Sequence, residues 1–262
     1  MRKFFLQNAL GQKWNLNDLD SFLHTVKGLG QGYSTTYTQI GSRFIKKKCN
    51  IAQKKITGKV RFRGYEEFGA FSRFIQHKPL ILVYGSLQTR KIYPPVYPKN
   101  NDYLLDVVIS SLEKTELETG GLQSKITFES LGTYYRMREV HGVGTVVIDS
   151  DTVLESGVRM EIEGPCFTPH YQHYIDGVMV GSGRFACEIG AGSSMVIDTT
   201  KLPYEVMCYS TDGSAISLYG TSDFSTKRFI VLGYGKNEIR FAHDGINGLN
   251  VSVEAKLEYE SV

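Results

Sequence analysis

Cys166, His170 and His173 are the most compact set of metal-ligating residue types in this 262-residue chain. Thiolate sulfur and imidazole nitrogen are good zinc ligands, but a structural zinc site needs four ligands. No fourth ligand is evident nearby in the sequence, and Pro169 forces a bend directly before His170. The pattern therefore favours a loop whose histidines and tyrosines pack at a domain edge, and we expect no metal and no cofactor.

Paired carboxylates are a second candidate chemistry, because a glycosidase on a β-sandwich would use two of them. The pairs are Glu161 with Glu163 and Asp149 with Asp151, and residues two apart share one face of a strand. The sequence places no apolar pocket around either pair, which favours a solvated surface. The chain also lacks a G-x-S-x-G motif and the Lys-Ser/Thr of a phosphate-binding loop. We therefore predict that the protein is not an enzyme.

Charge is segregated along the sequence, although the net charge is only +3. Nine Lys/Arg and no acid lie between positions 41 and 65, and acids follow at positions 113 to 118. With its interleaved aromatic residues, the basic segment could form a nucleic-acid face, meet acidic surface on a neighbouring subunit, or simply be solvated. The residues that we predict for a subunit interface are Arg43, Lys46, Lys47, Lys55, Lys59, Arg61, Glu113, Glu116 and Glu118.

Strand-like runs dominate the first half of the chain, and turn residues between them predict two hairpins. A later run, residues 55–63, alternates apolar and cationic residues, so its apolar set should lie on one face of a strand. The predicted hairpins join residues 4–6 to 13–16 and residues 33–40 to 43–47.

One segment departs from the strand pattern. Apolar residues at helical spacing predict a short amphipathic helix over residues 65–77, with Glu66 and Glu67 in its first turn, where the helix dipole favours negative charge. A buried strand is expected at residues 80–84. The loop predicted after it contains Pro94, Pro95 and Pro98, which forbid regular pairing.

The second half predicts a succession of short strands with turn signals about every ten residues, the spacing of a sandwich. Its last run is the clearest, because apolar residues from Leu249 to Tyr259 alternate strictly with polar ones. Between Gly132 and Gly144 the pattern thins and becomes rich in glycine, and we place a domain boundary there. The predicted domains are residues 1–138 and 139–262.

The four cysteines are irregularly spaced and form no C-x-x-C pair, which predicts free thiols in a reducing cytosol. Polar residues interrupt the N-terminal apolar run before a signal peptide could form. No stretch approaches the length needed to span a bilayer. We expect a protein that is made in a cytoplasm and has no membrane partner.

Several segments together resemble the siphovirus-type tail component family, specifically the distal tail proteins of phages of Gram-positive bacteria. The N-terminal part does so in FFLQNALGQKWNLNDLDSFLHTVKGLGQGYSTTYTQIGSRFI and in GYEEFGAFSRFIQHKPLILVY. The second half does so in EIEGPCFTPHYQHYIDG, SSMVIDTT and FIVLGYGKNEIRF, and the resemblance covers nearly the entire chain. The matching positions there are Gly164, Pro165 and Pro169, then Ile197, Asp198 and Thr199, then Leu232, Gly235, Asn237 and Ile239.

The resemblance implies a mainly β protein, with a β-rich N-terminal tail-hub domain carrying one short helix and a C-terminal galectin-like β-sandwich. It also implies a structural role, in which six copies close into a ring at the tail tip of the virion. Such a ring joins the tail tube protein to the tail-associated lysin or hub protein and carries receptor-binding or baseplate proteins. DNA would pass through the lumen without specific binding. The alternative function is a carbohydrate-binding module or adhesin that acts through the C-terminal sandwich, with Tyr171 and Tyr174 as its aromatic candidates.

Overall fold

The computed structural model describes residues 2–30, 32–86, 102–117, 121–223, 229–245 and 248–261. Contacts between Cα atoms divide the chain into two compact units. Unit one comprises residues 1–135 with 260–262, and unit two comprises residues 136–259. Within the described ranges, no helix combines the length and the apolar character that crossing a bilayer would require.

Unit one is built mainly of antiparallel strands, which confirms the predicted β character. Its described elements, in chain order, are β1 (Arg2–Gln7), β2 (Lys13–Asn15), β3 (Ser21–Lys27), β4 (Tyr33–Ile40), β5 (Arg43–Ile51), β6 (Lys55–Phe62), α1 (Tyr65–Phe74), β7 (Leu80–Ser86), β8 (Asp102–Leu112), β9 (Thr115–Glu116) and β10 (Leu122–Ser130).

Strand β8 is the centre of the sheet in unit one. Its eleven residues are enough to pair β7 through its first half and β10 through its second half. Strands β1 and β2 extend the sheet beyond β7, and β6 and β3 extend it beyond β10. The predicted first hairpin is therefore confirmed, with Leu6 opposite Trp14.

The predicted alternation along β6 is also confirmed. Ile56, Val60 and Phe62 are at most 1% exposed, whereas Lys55 and Lys59 face solvent. Because successive side chains of a strand point to opposite faces, one run of sequence covers the core and carries the cations.

Helix α1 covers this core. Phe71 is fully buried, and its ring centroid lies 5.3 Å from that of Phe62 and 5.4 Å from that of Trp14. The helix ends at Phe74 and not at residue 77 as predicted. The N–H of His77 donates to the carbonyl of Phe74, a bond that tightens the chain into a turn before the proline at 79.

The glycine-rich region between Gly132 and Gly144, where the strand pattern of the sequence weakens, forms regular structure. Strand β11 (Tyr134–Val143) runs through it, and Tyr134 and Tyr135 are buried. β11 pairs with a strand much later in the chain, and the glycine-rich sequence gives no indication of this pairing. The division of domains after residue 138 stays a prediction. The predicted proline-rich loop, with Pro94, Pro95 and Pro98, lies outside the described residues.

Unit two continues with short strands, as predicted. Its described elements after β11 are β12 (Thr145–Ser150), β13 (Ser156–Glu163), β14 (Cys166–Phe167), β15 (His170–Ile175), β16 (Val178–Arg184), β17 (Glu188–Ile189), β18 (Ser194–Asp198), β19 (Glu205–Tyr209), β20 (Ala215–Ser217), a 3₁₀ turn (Tyr219–Thr221), β21 (Val231–Leu232), β22 (Gly235–Ala242) and β23 (Asn250–Tyr259).

Two sheets of unit two share one hydrophobic core. One sheet has the order β23-β13-β18-β19-β20, and the other has the order β12-β22-β15-β16. Both contribute to the same buried cluster, for example Met160 and Val253 from the first and Ile148 and Phe241 from the second. The strict alternation of the last strand is confirmed, since Val253 and its neighbours at every second position are buried. A galectin-like relationship for this sandwich stays a prediction.

Candidate subunit interface

The hairpin formed by β4 and β5 is the most exposed regular structure in unit one. Among the described residues, these two strands pair with each other and with no third strand. Every residue of β5 is exposed, and β4 has no buried residue. At roughly 3.3 Å per residue the arm is about 26 Å long. An isolated two-stranded hairpin is marginally stable in water, so this arm needs a further surface to pack on.

Large apolar side chains occupy both faces of the hairpin. Tyr37 lies opposite Lys46, and Phe44 lies two residues further along the same face; their exposed fractions are 59% and 69%. Ile40 and Ile45 lie on the other face, 62% and 52% exposed. Apolar side chains clustered on a projecting element indicate a protein–protein contact.

The hairpin is also strongly cationic. No acid occurs between Tyr33 and Ile51, so four cations give the arm a charge of +4. A bulge in β5 leaves one residue, Lys47, without an opposite partner on β4. The cations of the arm are Arg43, Lys46, Lys47 and Lys48.

A buried lysine anchors the base of the hairpin. The Nζ of Lys54 donates to the carbonyl of Gly30 at 2.9 Å and lies 5.4 Å from the ring centroid of Tyr134. Its backbone N–H donates to the Ser130 hydroxyl at 2.9 Å, and the N–H of Ser130 donates back to the Lys54 carbonyl. Burial lowers the pKa of Lys54 from its ordinary value. The residue thus ties both ends of the hairpin to the sheet.

Backbone packing fixes the same base from the other side. Gly28 has a φ of +88°, and a Cβ there would lie 2.0 Å from the carbonyl oxygen of Lys55, so only glycine fits. The hydroxyl of Tyr33 donates to the carboxylate of Glu260 at 2.7 Å. The arm therefore leaves unit one from a rigid support while its outer part remains exposed.

The predicted cationic interface residues fall into two groups. Arg43, Lys46 and Lys47 lie on the hairpin. The others, Lys55, Lys59 and Arg61, lie on the exposed face of β6, where the Nζ of Lys55 is 3.0 Å from a carboxylate oxygen of Glu129.

Two of the predicted acidic residues have partners in the same chain, Glu113 directly after β8 and Glu116 at the end of β9. Glu113 is 3.7 Å from Lys125, and Glu116 is 3.3 Å from Lys114. A hydrogen bond from Tyr65, together with Lys114, lowers the pKa of Glu116. The remaining member, Glu118, lies outside the described residues.

Sequence analysis noted Phe44 only as an aromatic residue among the cations and did not single out the other apolar residues of the hairpin. Tyr37, Ile40, Phe44 and Ile45 fit any half-buried strand, and nothing in the alternation shows that both faces are exposed. The available signal was the neighbouring run of cations on one strand, which disfavours burial of that strand.

The candidate zinc ligands do not converge. Cys166 is fully buried in the core, while the Nδ1 of His170 lies 3.1 Å from the carbonyl of Thr168. The Nε2 of His173 is 3.1 Å from the side-chain oxygen of Asn237. Within the described ranges, no group of three or more Cys, His, Asp or Glu is placed to hold a metal ion.

The candidate carboxylate pairs also have local partners. Glu161 lies 3.3 Å from Arg159, and the Nδ2 of Asn250 donates to Glu163 at 3.3 Å. The hydroxyl of Tyr259 donates to Asp151 at 2.5 Å. These contacts are those of ordinary strand surfaces.

One of the two aromatic candidates for glycan binding is buried. Tyr171 is only 2% exposed and packs against Phe241, so its ring has no open face for stacking on a sugar. Tyr174 is half-buried under the guanidinium of Arg240, at 4.4 Å from the ring centroid. The geometry gives the sandwich no exposed aromatic platform at these two positions.

The cysteines differ in reactivity in a way that can be measured. Cys49 is exposed on the hairpin, whereas Cys166 is buried and burial raises its pKa to about 11. The thiolate is the reactive form. We expect an aromatic disulfide reagent at neutral pH to modify Cys49 rapidly and Cys166 only after unfolding. Cys49→Ser should remove one thiol equivalent from the fast absorbance change, and a fast change equal to that of the wild type would contradict the exposed position of Cys49.

Comparison with known proteins gives one family and a shared fold. Residues 3–131 match the family model described as the distal tail protein, N-terminal domain. The structure resembles the phage P2 baseplate in its activated conformation with Ca, with a TM-score of 0.64, 16% identity and 100% of both chains covered. It also resembles the SPP1 Dit (gp 19.1) protein, with a TM-score of 0.66, 9% identity and coverage of 98% of this chain and 99% of that one. At such identities these likenesses establish the fold alone, and no curated protein sequence matches the chain.

Proposed function

We propose that the chain is a distal tail protein, the family whose N-terminal domain model matches residues 3–131, and that its copies close into a hexameric ring at the tip of a phage tail. The family match and the fold support a general role as a structural component of the phage distal tail or baseplate hub. The SPP1 protein is described as a paradigm of the hub of the adsorption apparatus in phages that infect Gram-positive bacteria. The hexameric ring goes beyond that general role, and in this proposal the protein catalyses no reaction.

The observation that carries the proposal is the exposed hairpin of β4 and β5. It presents apolar side chains and a charge of +4 on an arm that finds no third strand among the described residues. A ring needs a heterologous contact, in which one patch of a copy meets a different patch of the next copy. A projecting arm supplies one such patch, and acidic surface elsewhere on the chain supplies its complement.

In this proposal the ring continues the tail tube protein on one side and joins the tail-associated lysin or hub protein on the other. Receptor-binding or baseplate proteins attach to its periphery. DNA passes through the lumen without specific binding. The protein assembles in the host cytoplasm and remains at the tail tip of the virion.

Charge reversal on the arm tests the proposal. We expect the purified protein to have six times its 29.4 kDa chain mass and Lys46→Glu/Lys47→Glu to lower this toward the mass of one copy. Opposite charges then become like charges at each contact, and the effect should weaken as salt screens them. Lys55 is left unchanged because a glutamate there would face Glu129.

Mass photometry at physiological salt provides the measurement. The matched control is Lys78→Glu/Lys236→Glu, which changes the net charge equally at exposed positions outside the hairpin. A wild-type protein that stays monomeric at every concentration, both alone and with its tail partners, would refute the ring. Equal oligomer masses for the hairpin variant and the wild type would refute charge pairing through the arm.

A further inference from the structure

A second surface of unit one is acidic, whereas the hairpin is basic. It is an open cleft of about 760 Å³ between helix α1 and the segment that includes β2 and the turn after it. The residues of its lining that matter here are Trp14, Asp18, Asp20, Tyr65, Glu66 and Glu67.

The aromatic part of the cleft is held in place. The indole Nε1–H of Trp14 donates to the Ser21 hydroxyl at 2.8 Å. Its ring packs against Phe71 and Phe74, with centroids 5.4 and 5.6 Å apart. Tyr65, at the first position of α1, is 57% exposed. The cleft thus has one fixed aromatic side and one partly exposed aromatic ring, over which the Nζ of Lys114 lies at 4.6 Å from the centroid.

The charged part of the cleft is acidic. Four carboxylates line it, against the two cations Lys13 and Arg73, which leaves a net charge of −2. Glu116 forms a hydrogen bond with Tyr65 at the border, but it lies 3.3 Å from Lys114, so this pair adds no net charge to the cleft. An acidic cleft with aromatic residues is complementary to a basic segment that also carries aromatic residues.

We propose that this cleft receives the tip of the β4–β5 hairpin from a second copy of the chain. The inference rests on the proposed self-assembly and names the acceptor surface. Tyr37 and Phe44 share one face of the hairpin and would lie against the aromatic side of the cleft. Lys46 lies opposite Tyr37 on the same face and would meet the carboxylates. In this arrangement each copy offers an arm on one side and a cleft on another, as a heterologous contact requires.

Reciprocal charge reversal tests this pairing directly. One variant carries Lys46→Glu/Lys47→Glu on the hairpin, and the other carries Glu66→Lys/Glu67→Lys in the cleft. We expect each variant alone to be at least tenfold weaker in self-association than the wild type, because the hairpin variant has a neutral arm and the cleft variant sets a basic arm against a basic cleft. We expect an equimolar mixture to recover oligomers with alternating copies, because the unchanged basic arm of the cleft variant meets the unchanged acidic cleft of the hairpin variant, and at the next contact the introduced glutamates meet the introduced lysines.

The outcomes separate this inference from the proposed function. If the hairpin variant is monomeric and the cleft variant assembles like the wild type, the ring stands and the cleft is not its acceptor. If both variants are folded and monomeric but their mixture does not assemble, the pairing is also wrong. A monomeric wild type refutes the ring itself. Circular dichroism of each variant reports folding, since lysines in the first turn of α1 oppose the helix dipole.

A crosslink gives the position of the arm independently. Ser42→Cys in a Cys49→Ser background places one thiol at the hairpin turn, where benzophenone maleimide can be attached. Mixed light and ¹⁵N-labelled protein separates links between copies from links within one copy. We expect links between copies to peptides that contain Trp14 or Tyr65. Links to another surface would leave the cleft to a different occupant, such as another tail protein, and overturn the proposal.

Discussion

Replacing residues 35–49 by Asn-Gly is expected to abolish ring assembly while both units stay folded. Ser34 and Asn50 lie opposite each other in the ladder, and Asn-Gly is the preferred two-residue turn for joining such a pair. The excised residues include none that is buried. Because no buried side chain is lost, the free energy of unfolding should change little. Loss of the arm should therefore appear in association and not in stability.

Sedimentation velocity and thermal melting together measure this result. We expect the wild type to sediment as the ring and the excised protein as one copy, with nearly equal melting temperatures. Excised protein that still sediments as the ring would show that the arm is not the contact. The charge-reversed hairpin serves as the control, because it keeps the full length of the arm and changes only two side chains.

Phe71→Ala is expected to destabilise unit one by about 3–5 kcal/mol, the usual effect of removing a buried aromatic ring. Phe71 is fully buried and packs against Trp14 and Phe62.

Tryptophan fluorescence isolates the effect in one unit. Trp14 is the single tryptophan of the sequence, and it touches the mutated ring. Denaturant unfolding followed at this fluorophore should shift strongly for Phe71→Ala and very little for Phe22→Ala, whose side chain is 46% exposed. Equal shifts for the two variants would contradict the packing of α1 on the sheet.

Sequence patterns predicted the elements that have two unlike faces. β6 and β23 each carry one apolar and one polar face, so a period of two gave both the strand and the direction of the core. The end of α1 was predicted three residues late, because the tightened last turn depends on local hydrogen bonds that spacing does not encode. β11 was missed because its order comes from pairing with β23, which lies far along the chain.

The candidate interface was predictable only in part. The run of cations on β5 indicated an exposed segment, but the apolar residues of the hairpin look in sequence like those of any half-buried strand. The cleft could not be predicted, since Trp14 and Tyr65 are distant in sequence. They become neighbours only because α1 packs over the sheet that includes β2. The spacing of residues along the sequence gives no sign of this long-range contact.

The rigid base of the hairpin has a geometric consequence for any closed assembly. In a ring joined through the arm, the angle at which the arm leaves one copy sets the rotation to the next. If that rotation divides a full circle evenly, the chain of contacts closes; if not, it continues as an open spiral. In such a ring, Lys54, buried against Tyr134, and Gly28, pressed against the Lys55 carbonyl, would hold this angle, so residues remote from the contact would fix how many copies complete the circle.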